Sequence, residues 1–351
     1  MNIITCEQVS AGHPDKICDQ IGDAILTECL RHDQSSRVAI ECLCKDDQLI
    51  IAGELTSTYT PDYQKIANEV YDRIGMDFHP KVTVMVSKQS ADIALGVDRE
   101  GLDQGAGDQG MSYGFATNET PELLPMPYVL ATEFLKLLRE KNSPFLKPDA
   151  KAQVSFDYAS WKITTFLCSV QHDENASKKE IWNTVVGCMF EVAARYGLNA
   201  DFEKLVNPTG RFVIGGPFAD CGVTGRKLAC DSYGSVGRLG GGALSGKDPS
   251  KVDRSGAYMA RKIARDIVRA GYADRAEVQI AYAIGMAKPV SVHVETFGTA
   301  WQSEAFIEQY VLENYDLTPK GIIRQLDLLN VDYNKVSAYG HFTRDDVPWE
   351  Q

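Results

Sequence analysis

The stretch from Arg37 to Ser57, RVAIECLCKDDQLIIAGELTS, alternates apolar and polar residues on both sides of a short polar centre. Alternation with a period of two is typical of half-buried β-strands, so the stretch predicts a strand hairpin. Lys151–Gln171 and Arg275–Phe297 have a similar make-up around a short centre, and the three stretches recur at similar intervals. Such a recurrence indicates an internal structural repeat.

Amphipathic helices are predicted on both sides of each hairpin. Before the first hairpin, apolar residues recur four apart at Ile17, Ile21, Ile25 and Cys29, which is the stripe of a helix packed on a core. The other predicted helices lie near residues 62–74, 128–141, 177–196, 255–270 and 303–314. The pattern predicts an α/β (α+β) fold of three similar domains, each a small sheet covered by helices and related by a pseudo-threefold repeat.

A long stretch between the first two units, Gln89–Glu119, is rich in glycine and aspartate and shows no clear periodicity. Such a stretch is either a disordered linker or a mobile functional lid, and its aspartates and glutamines favour a lid. We therefore predict an N-terminal domain at 1–92, a gating loop at 93–110, a central domain at 111–213 and a C-terminal domain at 214–351.

The composition narrows the class of protein. The formal net charge of −12 argues against a general nucleic-acid or membrane-surface binder. The nine cysteines are scattered without a C-x-x-C pair, as expected for free thiols in a reducing cytosol. With no leader-like start and no apolar run long enough to cross a membrane, the sequence predicts a cytoplasmic protein with neither a nucleic-acid nor a membrane partner.

Gly240–Arg254, GGGALSGKDPSKVDR, is the strongest candidate for an anion-binding site. Glycines let backbone amides approach an anion, and a helix that begins at the end of the stretch would add a positive dipole. Gly241–Lys247 matches the P-loop template G-x-x-x-x-G-K, but Asp248 stands where a P-loop needs Ser or Thr to reach Mg²⁺. Residues 232–238 also lack the apolar strand that a P-loop follows. A glycine loop of purely structural use is a further alternative.

A second group of candidates surrounds the start of the first helix. Pro14 suits the first helical position and Asp15 the first turn, so one interpretation is an ordinary capped helix with an incidental histidine. In the functional interpretation, Glu7 and Asp15 supply oxygen ligands to Mg²⁺, and His13 donates a hydrogen bond to a phosphoryl oxygen. These residues alone leave both interpretations open.

Adjacent Arg226 and Lys227 follow a glycine. An isolated pair of this kind is usually solvated surface charge. Together with Lys247 and Lys251, however, the pair becomes a candidate basic pocket, because four neighbouring cations repel one another unless a polyanion or nearby acids offset them.

Ordered motifs along the chain closely resemble those of S-adenosylmethionine synthetases. They are Gly12–Lys16 (GHPDK), Gly105–Gly110 (GAGDQG), Gly215–Lys227 and Gly240–Arg254, and the similarity extends through Tyr339–Phe342 (YGHF). The resemblance implies three similar α/β domains, and homodimers or homotetramers with active sites between subunits. It also implies that the sulfur of L-methionine attacks C5′ of ATP, and that the released tripolyphosphate is hydrolysed to pyrophosphate and phosphate.

By motif match, the resemblance further implies roles for individual residues. The catalytic residues, which would stabilise the departing tripolyphosphate, are His13, Arg226, Lys227 and Lys247. The other ATP contacts are Lys162, Arg211, Phe212, Asp220 and Ala243. Methionine would be bound by Glu54, Gln89, Asp108, Asp220 and Lys251. The metal ligands are Glu7, Asp15 and Asp253 for a pair of Mg²⁺ ions and Glu41 for K⁺.

The sequence departs from the family pattern at the tip of the second hairpin. Where members usually have Asp-Gly-Lys, with the aspartate on the ribose of ATP, this chain has Ser160-Trp161-Lys162. Serine lacks the charge-assisted grip of a carboxylate, so we expect altered ribose binding. Leu239 also replaces a histidine that is common before the triple glycine. A catalytically silent subunit is the remaining alternative, but it would have lost triphosphate ligands, and all four predicted catalytic residues are present.

Overall fold

The computed structural model describes residues 2–89 and 105–351, so most of the predicted gating loop lies outside the described residues. The strands are β1 (Ile3–Val9), β2 (Arg37–Lys45), β3 (Gln48–Thr56), β4 (Lys81–Ser87), β5 (Gly110–Thr117), β6 (Leu146–Asp157), β7 (Lys162–His172), β8 (Glu203–Val206), β9 (Gly222–Val223), β10 (Arg275–Tyr282) and β11 (Ser291–Glu295). The helices are α1 (Pro14–His32), α2 (Tyr63–Ile74), α3 (Met126–Glu140), α4 (Lys178–Arg195), α5 (Leu228–Asp231), α6 (Val252–Arg269), α7 (Glu304–Asn314) and α8 (Pro319–Gln325).

Three small sheets share one plan, which confirms the predicted repeat. Their strand orders are β4-β3-β2-β9, β1-β6-β7-β8 and β11-β10-β5. Each contains one of the predicted hairpins, β2–β3, β6–β7 or β10–β11, and each hairpin has an antiparallel strand beside its first member. In the first two sheets a parallel strand also lies beside the second member of the hairpin.

The sheets exchange strands between distant parts of the chain. Strand β1 at the N-terminus pairs with β6, β5 pairs with β10, and β9 pairs with β2. The three structural units therefore interlock, and their sheets do not coincide with consecutive stretches of sequence. This interlocking places the loop after β9 beside the N-terminal unit, where several of the predicted site residues lie.

The prediction of a lid over Gln89–Glu119 is wrong at its C-terminal end, because residues 110–117 form strand β5. The strand packs tightly on α6: a Cβ atom added at Gly114 would lie 1.9 Å from the carbonyl carbon of Ala260. Glycine is required there for close approach between strand and helix, not for mobility. Glycine content alone could not distinguish these two reasons.

Helices cover one face of each sheet. The predicted stripe of α1 is confirmed, since Ile17, Ile21, Ile25 and Cys29 are all buried in the core. The opposite face of the first sheet is open and carries the exposed apolar side chains of Leu43 on β2 and Met85 on β4. In the third sheet Met111 on β5 is exposed, but Phe115 on the same strand is buried. No helix among the described residues is long and apolar enough to span a lipid bilayer.

Candidate active site

His13 is the N-cap residue of α1, and Pro14 follows at the start of the helix. The His13 Nδ1 atom accepts a hydrogen bond from the backbone N–H of Asp15 at 3.2 Å. The pKa of His13 is lowered to about 4, chiefly by burial and also by the charge of Lys227, while the charge of Asp15 opposes the shift. At neutral pH the ring is therefore uncharged and its proton is on Nε2. From there the ring can donate a hydrogen bond to a bound group.

His13, Asp15, Arg226 and Lys227 form one group, which we call the histidine cluster. Lys227 Nζ lies 2.6 Å from Asp15 Oδ2, and Arg226 Nε lies 3.8 Å from Asp15 Oδ1. Asp15 is buried, but more than half of the Arg226 side chain is exposed. The cluster thus combines a fixed carboxylate with one exposed cation, Arg226, and one that is mostly covered, Lys227. The predicted ligand Asp220 belongs nearby, because its charge raises the pKa of His13.

A second group lines a cavity of about 170 Å³, which we call the lysine cavity. Its lining includes Arg37, Glu54, Gln89, Asp108, Lys247, Lys251 and Asp253. The cavity unites most of the predicted methionine ligands with the catalytic candidate Lys247. Asp220 is the exception, because it lies near the histidine cluster. Lys247 Nζ is 2.6 Å from Asp253 Oδ2, and both side chains are partly exposed to the cavity.

Asp248, which stands where a P-loop has Ser or Thr, uses its carboxylate for contacts within the fold. Its Oδ2 accepts a hydrogen bond from the backbone N–H of Val38 at 2.7 Å, and its Oδ1 accepts one from Ser250 at 2.9 Å. It also forms an ion pair with Lys251. Asp248 therefore ties the glycine-rich stretch to β2, and no strand immediately precedes that stretch in the described chain. The P-loop alternative is thereby ruled out on geometry.

The other predicted ligands belong to neither the histidine cluster nor the lysine cavity of the same chain. Lys162 is exposed at the start of β7. Arg211 is exposed and pairs with Glu174 at 2.8 Å, while the Phe212 backbone N–H donates to His172 Nε2 at 3.0 Å. The remaining candidates are Glu7 and Glu41, which are exposed on β1 and β2, and Ala243, which contacts the position of Gly225.

The altered hairpin tip has a self-contained structure. Trp161 adopts a left-handed backbone conformation with φ of 55°, and its ring meets those of Phe156 and Tyr158 edge-on at 5.1 and 5.8 Å. The Ser160 hydroxyl donates to Asp157 Oδ2 at 2.9 Å. Trp161 thus closes the apolar end of the hairpin, and the hydroxyl of Ser160 already has a partner inside the turn.

The described part of the chain contains no group of three or more His, Cys, Asp or Glu side chains placed to hold a metal ion. The carboxylates of Asp15 and Asp253 instead contact lysines in the two separate groups. This donor set still fits Mg²⁺, which proteins commonly bind through one or two carboxylates together with phosphate oxygens of a substrate.

Asp149 is a buried carboxyl group whose ionisation should make the stability of the protein depend on pH. Its Oδ2 accepts a hydrogen bond from Gly216 N–H at 2.8 Å, and burial raises its pKa from 3.8 to about 6. A raised pKa means that ionisation destabilises the folded state as pH rises from about 4 to 6. At neutral pH this cost is at most about 3 kcal/mol.

We therefore expect Asp149→Asn to be more stable than the parent protein at pH 7.5, because the amide oxygen still accepts from Gly216 and carries no charge. The difference in free energy of unfolding, measured in urea, should shrink as pH falls through 6 towards 4. If the difference in free energy of unfolding between Asp149→Asn and the parent did not change with pH, the raised pKa of Asp149 would be contradicted.

The sequence analysis gave no role to Asp19, Asp23 or Arg254, although all three are fully buried beside the two groups. Arg254 forms a two-pronged ion pair with Asp23, at 2.6 and 2.9 Å, and donates to the carbonyl oxygen of Lys247 at 3.2 Å. The four-residue spacing of Asp15, Asp19 and Asp23 was the available signal, because acids are rarely placed on the buried face of a helix.

Successive parts of the chain match the three domain models of one family. Residues 1–99 match the N-terminal domain of S-adenosylmethionine synthetase, residues 103–212 its central domain, and residues 214–351 its C-terminal domain.

Relatives match over nearly the whole length. The S-adenosylmethionine synthase of Treponema denticola is 48% identical over 373 residues, which covers 100% of this chain and 96% of that protein. The enzyme of the same name from Mesoplasma florum is 45% identical, covering 99% of this chain and 97% of its own. The S-adenosylmethionine synthase of Sorangium cellulosum is 46% identical, covering 99% of this chain and 87% of that protein.

Proposed function

The chain belongs to the S-adenosylmethionine synthetase family, and we propose that its histidine cluster and lysine cavity together form the active site of this activity. It is a methionine adenosyltransferase: the adenosyl group of ATP passes to the sulfur of L-methionine, and the released tripolyphosphate is hydrolysed to pyrophosphate and phosphate. The observation that carries the site assignment is the placement of four cations, in two groups, on loops held by one helix.

The leaving group determines what the site must do. A neutral thioether sulfur needs little help from a base, so the barrier falls chiefly by aligning sulfur, carbon and leaving oxygen and by stabilising the charge that grows on the tripolyphosphate. His13 would donate a hydrogen bond from Nε2–H to the oxygen that departs from C5′, while keeping its proton. Arg226, Lys227 and Lys247 would hold the three phosphates as one unit.

Methionine would lie in the lysine cavity. The carboxylates of Glu54 and Asp108 line one cavity with Gln89 and Lys251, which suits an amino acid that carries both an ammonium and a carboxylate. Lys251 pairs with Asp248, but an ammonium has three donors, so it can also bind the methionine carboxylate. Asp220 and the adenosine contacts Lys162, Arg211, Phe212 and Ala243 complete the proposed ligand set.

Members of this family use a divalent metal and a monovalent cation. The proposed ions are Mg²⁺, held by Asp15, Asp253 and Glu7 with phosphate oxygens, and K⁺, held by Glu41. Bound Mg²⁺ would neutralise part of the charge on the departing tripolyphosphate. Asp15 contacts Lys227 and Asp253 contacts Lys247, so each of these carboxylates would hold a metal ion beside a cation of the proposed phosphate site.

The full site would form between two copies of the chain. Glu54 on β3 pairs across the sheet with Ala39 on β2, so the lysine cavity borders the open sheet face that carries Leu43 and Met85. Exposed apolar side chains on a helix-free sheet face favour burial against a second copy. Sedimentation equilibrium should give a dimer or tetramer, whereas an active monomer would contradict this arrangement. The nine free cysteines suit the proposed cytoplasmic location.

The decisive experiment measures the products. We expect incubation with L-methionine, ATP, Mg²⁺ and K⁺ to yield S-adenosylmethionine with pyrophosphate and phosphate, detected by mass spectrometry and phosphate analysis. Omitting methionine should abolish the adenosyl product. ADP as the nucleotide product would instead indicate a phosphotransferase, and a folded protein without any methionine-dependent product would indicate a silent subunit.

A further inference from the structure

Three aspartates on α1 lie on one face of the helix. Asp15, Asp19 and Asp23 are four residues apart, one above the next, and all are buried. Each accepts a hydrogen bond on Oδ1 from a backbone N–H outside the helix at 2.9 Å. The donor to Asp15 is Val223 at the end of β9, and the donors to Asp19 and Asp23 are the loop residues Gly225 and Gly246. The helix therefore contacts both basic loops through carboxylates, not through apolar packing alone.

The bonded glycines directly precede the proposed phosphate-binding cations. Gly225 comes before Arg226 and Lys227, and Gly246 comes before Lys247. Asp19 thus fixes the backbone of the first loop, and Asp23 fixes that of the second. Since both carboxylates belong to one rigid helix, the separation of the two loops is set by one helical turn.

Strand β2 holds the same loops from the other side. Thr224 N–H donates to the carbonyl oxygen of Cys42 at 3.1 Å, and Cys42 N–H donates to Thr224 Oγ1 at 2.9 Å. In the second loop, Ile40 N–H donates to the carbonyl oxygen of Gly246 at 2.9 Å. Each loop is therefore clamped between a strand and a helix.

Both loops pack closely against their neighbours at a glycine. Gly225 and Gly246 have φ of +77° and +80°, a region that favours glycine. An added Cβ would lie 2.5 Å from the Ala243 Cβ at Gly225 and 2.1 Å from the Ile40 carbonyl oxygen at Gly246. The carboxylate bonds are thus part of a close fit, and losing one would leave its loop held from the β2 side alone.

The buried charges are not arranged for stability alone. Lys16 contacts both Asp19 and Asp231, and Arg254 contacts Asp23, so three buried carboxylates share two buried cations. Buried ion pairs are often no more stabilising than apolar side chains of similar volume. A surplus carboxylate is, however, a strong acceptor for a backbone N–H, because the hydrogen bond is charge-assisted.

We propose that Asp19 and Asp23 are positioning residues, which hold the loops of Arg226, Lys227 and Lys247 at the separation that tripolyphosphate requires. This role rests on the proposed function of those three cations. Asp19 and Asp23 act through the loops and touch no substrate.

Asp19→Ala and Asp231→Ala form a matched pair of variants. Each removes one of the two carboxylates that contact Lys16, and each leaves the other as its partner. Only Asp19 bonds to a backbone amide of the loops; within the described residues, the Asp231 carboxylate contacts Lys16 and approaches His341. A merely structural role would affect the two variants alike.

Two measurements should separate the variants. In hydrogen exchange read by mass spectrometry, peptides covering residues 222–227 should exchange faster in Asp19→Ala than in Asp231→Ala. The KM for hydrolysis of added tripolyphosphate with Mg²⁺ should rise about tenfold or more in Asp19→Ala, the loss of roughly one well-placed contact, and stay within about twofold in Asp231→Ala. Asp19→Asn should restore both values, because its amide oxygen can still accept from Gly225.

Equal exchange and equal KM in the two alanine variants would overturn the proposal. So would an Asp19→Ala protein that matches the parent in both measurements. Failure of the proposed function is distinguishable, because it would appear in the parent protein as absent tripolyphosphate hydrolysis, while the exchange comparison would still report whether Asp19 holds its loop.

Discussion

Lys247→Met is expected to lower kcat for S-adenosylmethionine formation by about 100- to 1,000-fold, with little change in stability. The ammonium of Lys247 lies at the cavity, 2.6 Å from Asp253, and would oppose the charge that develops on the departing tripolyphosphate. Methionine keeps the length and apolar stem of lysine but removes the charge. Because Asp253 is partly exposed, its carboxylate can be solvated when its partner is lost. The measurements are initial rates at saturating ATP and methionine, and thermal unfolding.

Lys335→Met is the matched control. Lys335 also forms an ion pair with an aspartate, Asp346, at 3.0 Å, and about half of each side chain is exposed. The same substitution there should leave the rate within about twofold, since surface ion pairs contribute little. If Lys247→Met lost folding and activity in parallel, the glycine-rich stretch would return to a purely structural role.

The hairpins and their flanking helices were predictable because their signals are local. Alternation in Arg37–Ser57 and the apolar stripe of α1 depend only on which side of an element is buried, and the structure confirms both. The strands that pair with the hairpins from elsewhere in the chain, such as β9 and β5, were not predicted. β9 has two residues, and β5 lies within a glycine-rich stretch, so their strand character arises from partners far away in the sequence.

Contacts within the candidate site were predictable only in part. Motif matches identified Lys247 and Asp253, and the structure brings them into contact. The role of Asp248 could not be predicted, because its partner Val38 is distant in sequence. The roles of Asp19 and Asp23 likewise depend on loops that reach α1 only after the units interlock. Residues that hold a site together through long-range backbone bonds leave only weak local patterns.

Asp23→Ala is expected to lower the free energy of unfolding by about 3 to 5 kcal/mol. Asp23 and Arg254 are fully buried and form two hydrogen bonds, and the Arg254 guanidinium also lies 4.1 Å from the ring centre of Tyr333. Removing the carboxylate would leave a guanidinium without its charge partner in the core. The loop carbonyl of Lys247, which Arg254 also contacts at 3.2 Å, would lose its fixed position at the same time. Urea unfolding at neutral pH measures the change.

Two further variants distinguish loss of the ion pair from loss of packing. Asp346→Ala, in an exposed pair with Lys335, should cost about 0 to 1 kcal/mol. The double variant Asp23→Leu with Arg254→Met removes both charges and fills the space, so it should recover a large part of the stability lost in Asp23→Ala. It should not recover synthesis, because Gly246 N–H would still lack its acceptor. A double variant as unstable as Asp23→Ala would show that packing around α1, and not the unpaired charge, determines the cost.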